Sequence, residues 1–302
     1  MKKILMDTFM EKVKKIGYTV KEFSADRKVY EVSKDGKSFL TLGKYFPLNS
    51  ITANGIAKRK NLTKQILSAG GVPTPKGILT GEWKIIEGLL KNGSLKFPLV
   101  VKPDTSSLGK MVTAKIKDIE SLKKAFELVK KEYETVLIEE YVEGEDFRFL
   151  VLDGRVLTVA KRVLPFVIGD GISNISELIP GKIKVKREVK RCLSDQGLDI
   201  NSIPVKNRKV ILRMNANVHT GASVENVSET ADPFFKDLAI KAAAMLKIRF
   251  AGVDIIAKDI TDKNSAFTVT EVNSSPSYDI HFLPKVGKPY DPTKEILDSI
   301  LQ

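Results

Sequence analysis

Phe250-Ala-Gly-Val-Asp254-Ile-Ile-Ala257, followed by Thr268-Val-Thr-Glu271-Val-Asn273-Ser-Ser-Pro276, is the most informative stretch of this chain. Both runs are short, apolar and rich in β-branched residues, and a polar segment at 259–265 separates them. That pattern reads as a hairpin. Its two strands direct Asp254, Glu271 and Asn273 at one spot. Three hard oxygen donors suit Mg²⁺, which prefers one or two carboxylates plus phosphate oxygens to a full protein cage. A surface hairpin carrying solvated acids would show the same pattern, so the remaining motifs carry the decision.

Upstream, Phe97-Pro-Leu-Val-Val-Lys102-Pro103 reads as a strand ending in a lysine. The small, polar loop Asp104-Thr-Ser-Ser-Leu-Gly109-Lys110 follows it. Backbone N–H groups and hydroxyls of such a loop can cradle phosphate. The Walker spacing G-x-x-x-x-G-K-[ST] is absent. Next come the strand Thr135-Val-Leu-Ile-Glu139-Glu140-Tyr141-Val142 and the segment Glu143-Gly-Glu145-Asp146-Phe-Arg148. Acids at such a strand exit can hold an adenine edge and a ribose.

In this order and spacing the motifs resemble the ATP-grasp superfamily, with the nearest likeness to the ATP-grasp part of cyanophycin synthetases and of bifunctional glutathione synthetases. The pieces that carry it run from about Asn54 to Pro284. They include Lys60-Asn-Leu-Thr-Lys64, Val72-Pro-Thr-Pro75, Val101-Lys-Pro, Glu139-Glu-Tyr-Val, Val167-Ile-Gly-Asp-Gly171 and Leu212-Arg-Met-Asn-Ala-Asn217. The resemblance implies an α+β, ATP-grasp fold, two α+β subdomains clasping ATP plus an N-terminal α/β region. It implies an ATP- and Mg²⁺-dependent carboxylate–amine ligase, with ATP and two Mg²⁺ ions (or Mn²⁺) as cofactors and amino acids or peptides as substrates. A kinase of the same fold and a non-catalytic basic binding protein are the alternatives.

Residue by residue, the resemblance gives Lys60 and Lys102 to phosphate, with Ser106, Ser107 and Gly109 in the phosphate loop. Glu139, Glu140, Tyr141 and Val142 fall on adenine and Asp146 on ribose. Asp254, Glu271 and Asn273 become the metal ligands. Arg213 is the expected stabiliser of an acylphosphate, because a guanidinium fork matches a planar phosphoryl group. Lys161 and Arg162 join it, with at least one facing away, since strand neighbours point to opposite sides. Arg148, Asn215, Ser223, Ser275 and Tyr278 are candidates for substrate contact. Gly252 stands where the D-alanine ligase branch has an arginine, which argues against that branch. The Mur-ligase-like ATPase of cyanophycin synthetases and the cysteine-ligase module of the glutathione enzymes have no counterpart in these residues, so an alternating polymer is not expected from this chain alone.

Composition bounds the rest. The chain has 302 residues, 42% of them hydrophobic, enough for a sizeable core in one large domain or two to three small ones. Three segments are expected: 1–95, an N-terminal α/β region; 96–142, a lid; and 143–302, a subdomain with the metal site. Helices are expected at 6–16, 61–69, 119–133, 175–193 and 233–246, a β-like run at 30–42, a hairpin at 147–163 turning at Asp153-Gly154, and a strand at 209–214. No apolar run reaches the length of a membrane span, and Asp7 interrupts any signal-peptide core, so a cytoplasmic protein is expected. A homo-oligomer is compatible with the family. The formal charge of +13 raises nucleic-acid binding, but the lysines are dispersed and no stacking module is present. A basic lid over a triphosphate and an acidic substrate explains the charge better. The single Cys192 excludes an internal disulfide, and with no base beside it a reactive thiol is not expected. Neither His219 nor His281 has a metal-ligand partner at helical spacing.

Overall fold

The computed structural model describes residues 2–106, 109–181, 183–216, 218 and 221–302. Contacts group them into two compact units interleaved along the chain. Unit 1 comprises Met1–Thr74, Phe147–Lys161 and Asn226–Gln302; unit 2 comprises Pro75–Asp146 and Arg162–Glu225. The contiguous division into 1–95, 96–142 and 143–302 stands as a proposal about domains.

Unit 1 opens with α1 (Lys2–Lys15), whose Phe9, Met10 and Val13 form a buried face. A three-stranded antiparallel sheet follows, β1 (Thr19–Ser24), β2 (Val29–Lys34) and β3 (Lys37–Leu42). The single β-like run expected over 30–42 is two strands. Asp35 and Gly36, at φ 51° and 77°, reverse the chain between Lys34 and Lys37. Positive φ at both central residues is the two-residue hairpin turn that matches strand twist. α2 (Ile51–Ala57), capped by Ser50, was not foreseen; α3 (Lys60–Ala69) was, and it stops at Gly70-Gly71.

The chain then enters unit 2. Here β4 (Gly77–Thr80), α4 (Trp83–Lys91), β5 (Leu99–Pro103), β6 (Thr113–Ile116), α5 (Ile119–Lys130) and β7 (Val136–Glu140) build a sheet ordered β4-β7-β5-β6. Leu122, Ala125, Phe126 and Val129 of α5 pack on Leu99, Val101 and Ile138 of that sheet.

β8 (Glu145–Leu152) leads back into unit 1 and turns at Asp153-Gly154 (φ 47° and 71°) into β9 (Arg155–Val163), as the sequence predicts. Unit 2 resumes with β10 (Phe166–Ile168), α6 (Ile175–Leu178), α7 (Arg187–Ser194), β11 (Lys209–Ile211) and β12 (Ser223–Asn226), whose last residue re-enters unit 1. The helix expected over 175–193 is broken between α6 and α7, where Pro180-Gly181 cannot continue it. α8 (Pro233–Met245), β13 (Phe250–Ala257), β14 (Phe267–Asn273) and α9 (Thr293–Leu301) complete unit 1.

Within unit 1 the strands run β9-β8-β13-β14, and the sheet is buried on both faces. Phe147, Phe149 and Val151 of β8, with Ala251, Val253 and Ile255 of β13, pack under α2, α3 and α8. The alternate residues Leu150, Leu152 and Phe250 join α1, β2, β3 and α9 in a second core. Period-two alternation therefore divides each strand between two cores, which is why both read as nearly continuous apolar runs. The alternate positions Arg148, Gly252 and Asp254 fall on the face of the second core.

Candidate functional site

Strand register builds the site in unit 1. Asp254 lies directly opposite Glu271, and Gly252 opposite Asn273. Directly opposed residues share a face, and so do residues two apart. Asp254, Glu271 and Asn273 therefore leave the same side of the hairpin. Strict alternation along Thr268-Val-Thr-Glu-Val-Asn would put Val269 on that side too. A bulge prevents this: the partner of Ile255 is Val269 rather than Thr270, so Val269 and Val272 both reach the first core while Glu271 keeps the site face.

Asp254 is 3% exposed, and both its oxygens accept from Arg148, Oδ1 from Nε and Oδ2 from Nη2 at 2.9 Å. Arg148, expected to contact substrate, is thus the bidentate partner of the buried carboxylate. Gly252 makes this possible: a Cβ there would stand 3.0 Å from Arg148 Cδ and Nη1 and 2.8 Å from Pro276 Cβ. Glu271 is less buried, with Lys60 Nζ 3.6 Å from Oε1. The Asn273 amide nitrogen is buried with no hydrogen-bond partner. These residues fit a divalent cation through oxygen donors alone: two carboxylates and an amide oxygen on one face. Among the described residues no group of three His, Cys, Asp or Glu is placed to hold a metal ion.

Asn49 is a residue the motif reading missed. Its Nδ2 donates to Phe250 O and Ser274 O, both at 2.8 Å, and its Oδ1 accepts from Arg249 N and Phe250 N. It fastens the start of β13 to the chain leaving β14. An asparagine upstream of a helix cap carries no local sign of that contact. Ser275 is a second fastener: Lys44 Nζ donates to its carbonyl at 2.7 Å, and its hydroxyl donates to Lys44 O at 3.2 Å. Tyr278 is 0% exposed among Phe9, Phe46, Phe250 and Phe282. Burial raises its phenol above the usual range, and the position is closed to a dissolved substrate. His281 is buried as well, and His219 lies outside the described residues.

In unit 2, Lys102 Nζ lies 2.5 Å from Glu139 Oε2, an ion pair across neighbouring strands. The Glu140 and Tyr141 N–H groups donate to Lys76 O and Pro98 O, both at 2.8 Å. Asp146 pairs with Arg162, Oδ1 accepting from Nε at 2.9 Å, so this catalytic candidate and the ribose candidate hold each other. Lys161 belongs to unit 1 and Arg162 to unit 2. Ser106 is buried, while Ser107 lies outside the described residues. Gly109, at φ 71°, packs so closely on Asn215 that a Cβ would stand 2.0 Å from its Nδ2. Arg213 donates from Nη2 to Lys184 O at 3.0 Å, and its buried Nε has no partner. Ser223 opens β12, half-buried. Cys192 is buried beside Glu188, its thiol pushed up to about 12 by burial, so it carries no nucleophile.

Comparison with known proteins shows the family and the fold. Cyanophycin synthetase of Trichormus variabilis is 30% identical over 263 residues, 81% of this chain and 29% of that protein. Glutathione biosynthesis bifunctional protein GshAB of Enterococcus faecalis is 32% identical over 265 residues, 80% of this chain and 35% of that protein. The chain spans about a third of the length of these curated relatives. A bifunctional glutathione synthetase from Pasteurella multocida superposes with a TM-score of 0.69 over 98% of this chain and 43% of its own, at 22% identity, which establishes the fold. The RimK-like ATP-grasp domain matches residues 57–170 and 206–285. Those residues contain Lys60, Lys102, Glu139, Asp254 and Glu271 alike, so the likeness is not confined to one motif, and the chain belongs to the RimK-like ATP-grasp domain family.

Proposed function

We propose that this protein is an ATP- and Mg²⁺-dependent carboxylate–amine ligase. It joins amino-acid or peptide substrates by an amide bond through an acylphosphate, releasing ADP and phosphate. The observation that carries this reading is the Asp254–Glu271–Asn273 face, set by strand register and backed by Arg148. Bound there, Mg²⁺ would neutralise phosphate charge. The protein's own part is positioning and charge balance, which is what phosphoryl transfer asks of an enzyme. Glu271 and Asn273 present oxygens, Arg148 fixes the carboxylate plane of Asp254, and Lys60 balances Glu271. Two ions are proposed, since two carboxylates and an amide can be shared between them.

The nucleotide-facing candidates are Lys102, Glu139, the 140–142 backbone and Asp146, with Lys102 and Asp146 already charge-paired. Arg213, with an unsatisfied buried Nε, is the candidate for holding the acylphosphate oxygens. Lys161 and Arg162 are secondary candidates for that role.

Phosphate release from ATP and Mg²⁺ is measured with amino acids singly and in pairs. Release with one pair only, with a product of summed mass less water, is the expected result. Release with a single acid would make the protein a kinase. Absence of nucleotide binding would refute the site and leave a basic binding protein.

A further inference from the structure

Residues 44–49 connect β3 to α2 in unit 1, and they precede residue 57, where the family match begins. Phe46 and Leu48 anchor this connector in the second core, with the Phe46 ring 5.3 Å from that of Phe9 and 6.3 Å from that of Phe250. Two buried apolar residues so placed hold the polar ones around them beside the start of β13. Lys44 and Asn49 use that placement.

The register of β13 with β14 ends at Gly252 and Asn273. Asn49 takes over where it stops. Its Nδ2 donates to one carbonyl on each side of the gap, Phe250 O and Ser274 O, and its Oδ1 accepts from Arg249 N and Phe250 N. A side-chain amide offers two N–H donors and two acceptor lone pairs, so all of them are used. One residue further on, Lys44 and Ser275 exchange hydrogen bonds, from Nζ to the Ser275 carbonyl and from the Ser275 hydroxyl to Lys44 O. The metal candidate Asn273 is the last residue of β14, and the glycine across from it offers no side chain to hold it. What fixes the strand end is the connector, through Ser274 and Ser275.

We propose that Asn49 is a positioning residue for the metal site. With Lys44 as second support, it sets where the Asn273 amide leaves the hairpin, and through it the affinity for the divalent cation. This rests on the reading of Asp254, Glu271 and Asn273 as metal ligands. Mg²⁺ demands near-ideal octahedral geometry, so a displaced oxygen at the strand end costs affinity. Groups that orient metal ligands contribute about 10- to 100-fold in affinity.

The test is Mn²⁺ binding to the whole protein at saturating ADP, read by electron paramagnetic resonance of the free ion. Binding of a fluorescent ADP in EDTA and urea unfolding run alongside. Asn49→Ala should weaken Mn²⁺ binding about tenfold or more and leave metal-free ADP binding within about twofold. Asn49→Asp keeps the acceptor for Arg249 N and Phe250 N but turns an oxygen on Phe250 O and Ser274 O, and should weaken Mn²⁺ binding at least as much. Lys44→Met should weaken it less, and Lys44→Arg, which keeps a donor for Ser275 O, should restore most of that loss. Val32→Ala opens a cavity in the second core of the same unit; it should lower the urea midpoint while Mn²⁺ binding stays within about twofold. Equal weakening by Val32→Ala would reduce Asn49 to a structural role and overturn the proposal. So would unchanged Mn²⁺ binding in Asn49→Ala or, if that variant does not fold, equal binding by the two Lys44 variants. Wild-type protein that binds ADP but no Mn²⁺ would sink the metal reading itself, and the proposal with it.

Discussion

The hairpin face of unit 1 and a basic cavity of unit 2, between α5, α7 and the stretch beyond β11, manage charge in opposite ways. On the hairpin, the carboxylate of Asp254 is buried and gripped at both oxygens by Arg148, and Glu271 has Lys60 nearby. In the cavity, Lys117, Lys186 and Arg187 stand at exposed positions on a loop and a helix end without acidic partners. A buried charge without a partner is costly, whereas an exposed one is solvated cheaply. Strand interiors therefore hold charges that are matched and fixed, and loops and helix ends can hold charges that solvent balances. The first arrangement fixes side-chain geometry, and the second leaves it free.

Four experiments break or sharpen this contrast. Asp254→Asn should lower Mg²⁺-dependent turnover about a thousandfold, the several kcal/mol a metal contributes to charge stabilisation. The amide keeps one acceptor for Arg148, so the far-UV circular dichroism should stay native; an unfolded spectrum would make Asp254 structural and end the metal assignment. Arg148→Met removes one partner of the buried pair and should cost about 3–5 kcal/mol in urea unfolding. A loss under about 1 kcal/mol, the range of an exposed pair, would show that the carboxylate is hydrated rather than matched.

Gly252→Ala should cost about 1–3 kcal/mol, the usual range for overpacking. The double variant with Arg148→Met should lose less than the sum of the two separate losses, because the alanine methyl no longer meets Arg148 Nη1. Strict additivity would remove the link between the glycine and the arginine. The smallest effect is a rate. With its thiol near 12, Cys192 should react with Ellman's reagent at pH 8 only as the protein unfolds, and rapid labelling of native protein would contradict its burial.

Much of the candidate site was legible because it is local. The hairpin of 250–273 shows its face through alternation, and the Asp153-Gly154 turn announces its own geometry. The same Asp-Gly signal at 35–36 was passed over, which merged two strands into one run. Pro180-Gly181 likewise marked a break in a stretch read as one helix. Side chains whose surroundings the sequence did not show have a different cause. Tyr278 follows a site motif closely enough to look like part of it, yet its neighbours Phe9 and Phe46 lie more than two hundred residues away in sequence.

The sequence by itself determined the strands and their alternation, the turns, the side of the hairpin from which Asp254, Glu271 and Asn273 emerge, and the family. These depend on backbone sterics and hydrophobic periodicity, which act between near neighbours. Only the tertiary structure decided that Arg148 grips Asp254 across 106 residues, that Gly252 leaves room for it, that Asn49 fastens the hairpin, and that Lys117, Lys186 and Arg187 in unit 2 share one cavity. Periodicity assigns a side chain to a face but not to a partner. Partners are chosen by burial, which makes a charge or amide inside the protein find its complement wherever the packed chain brings one.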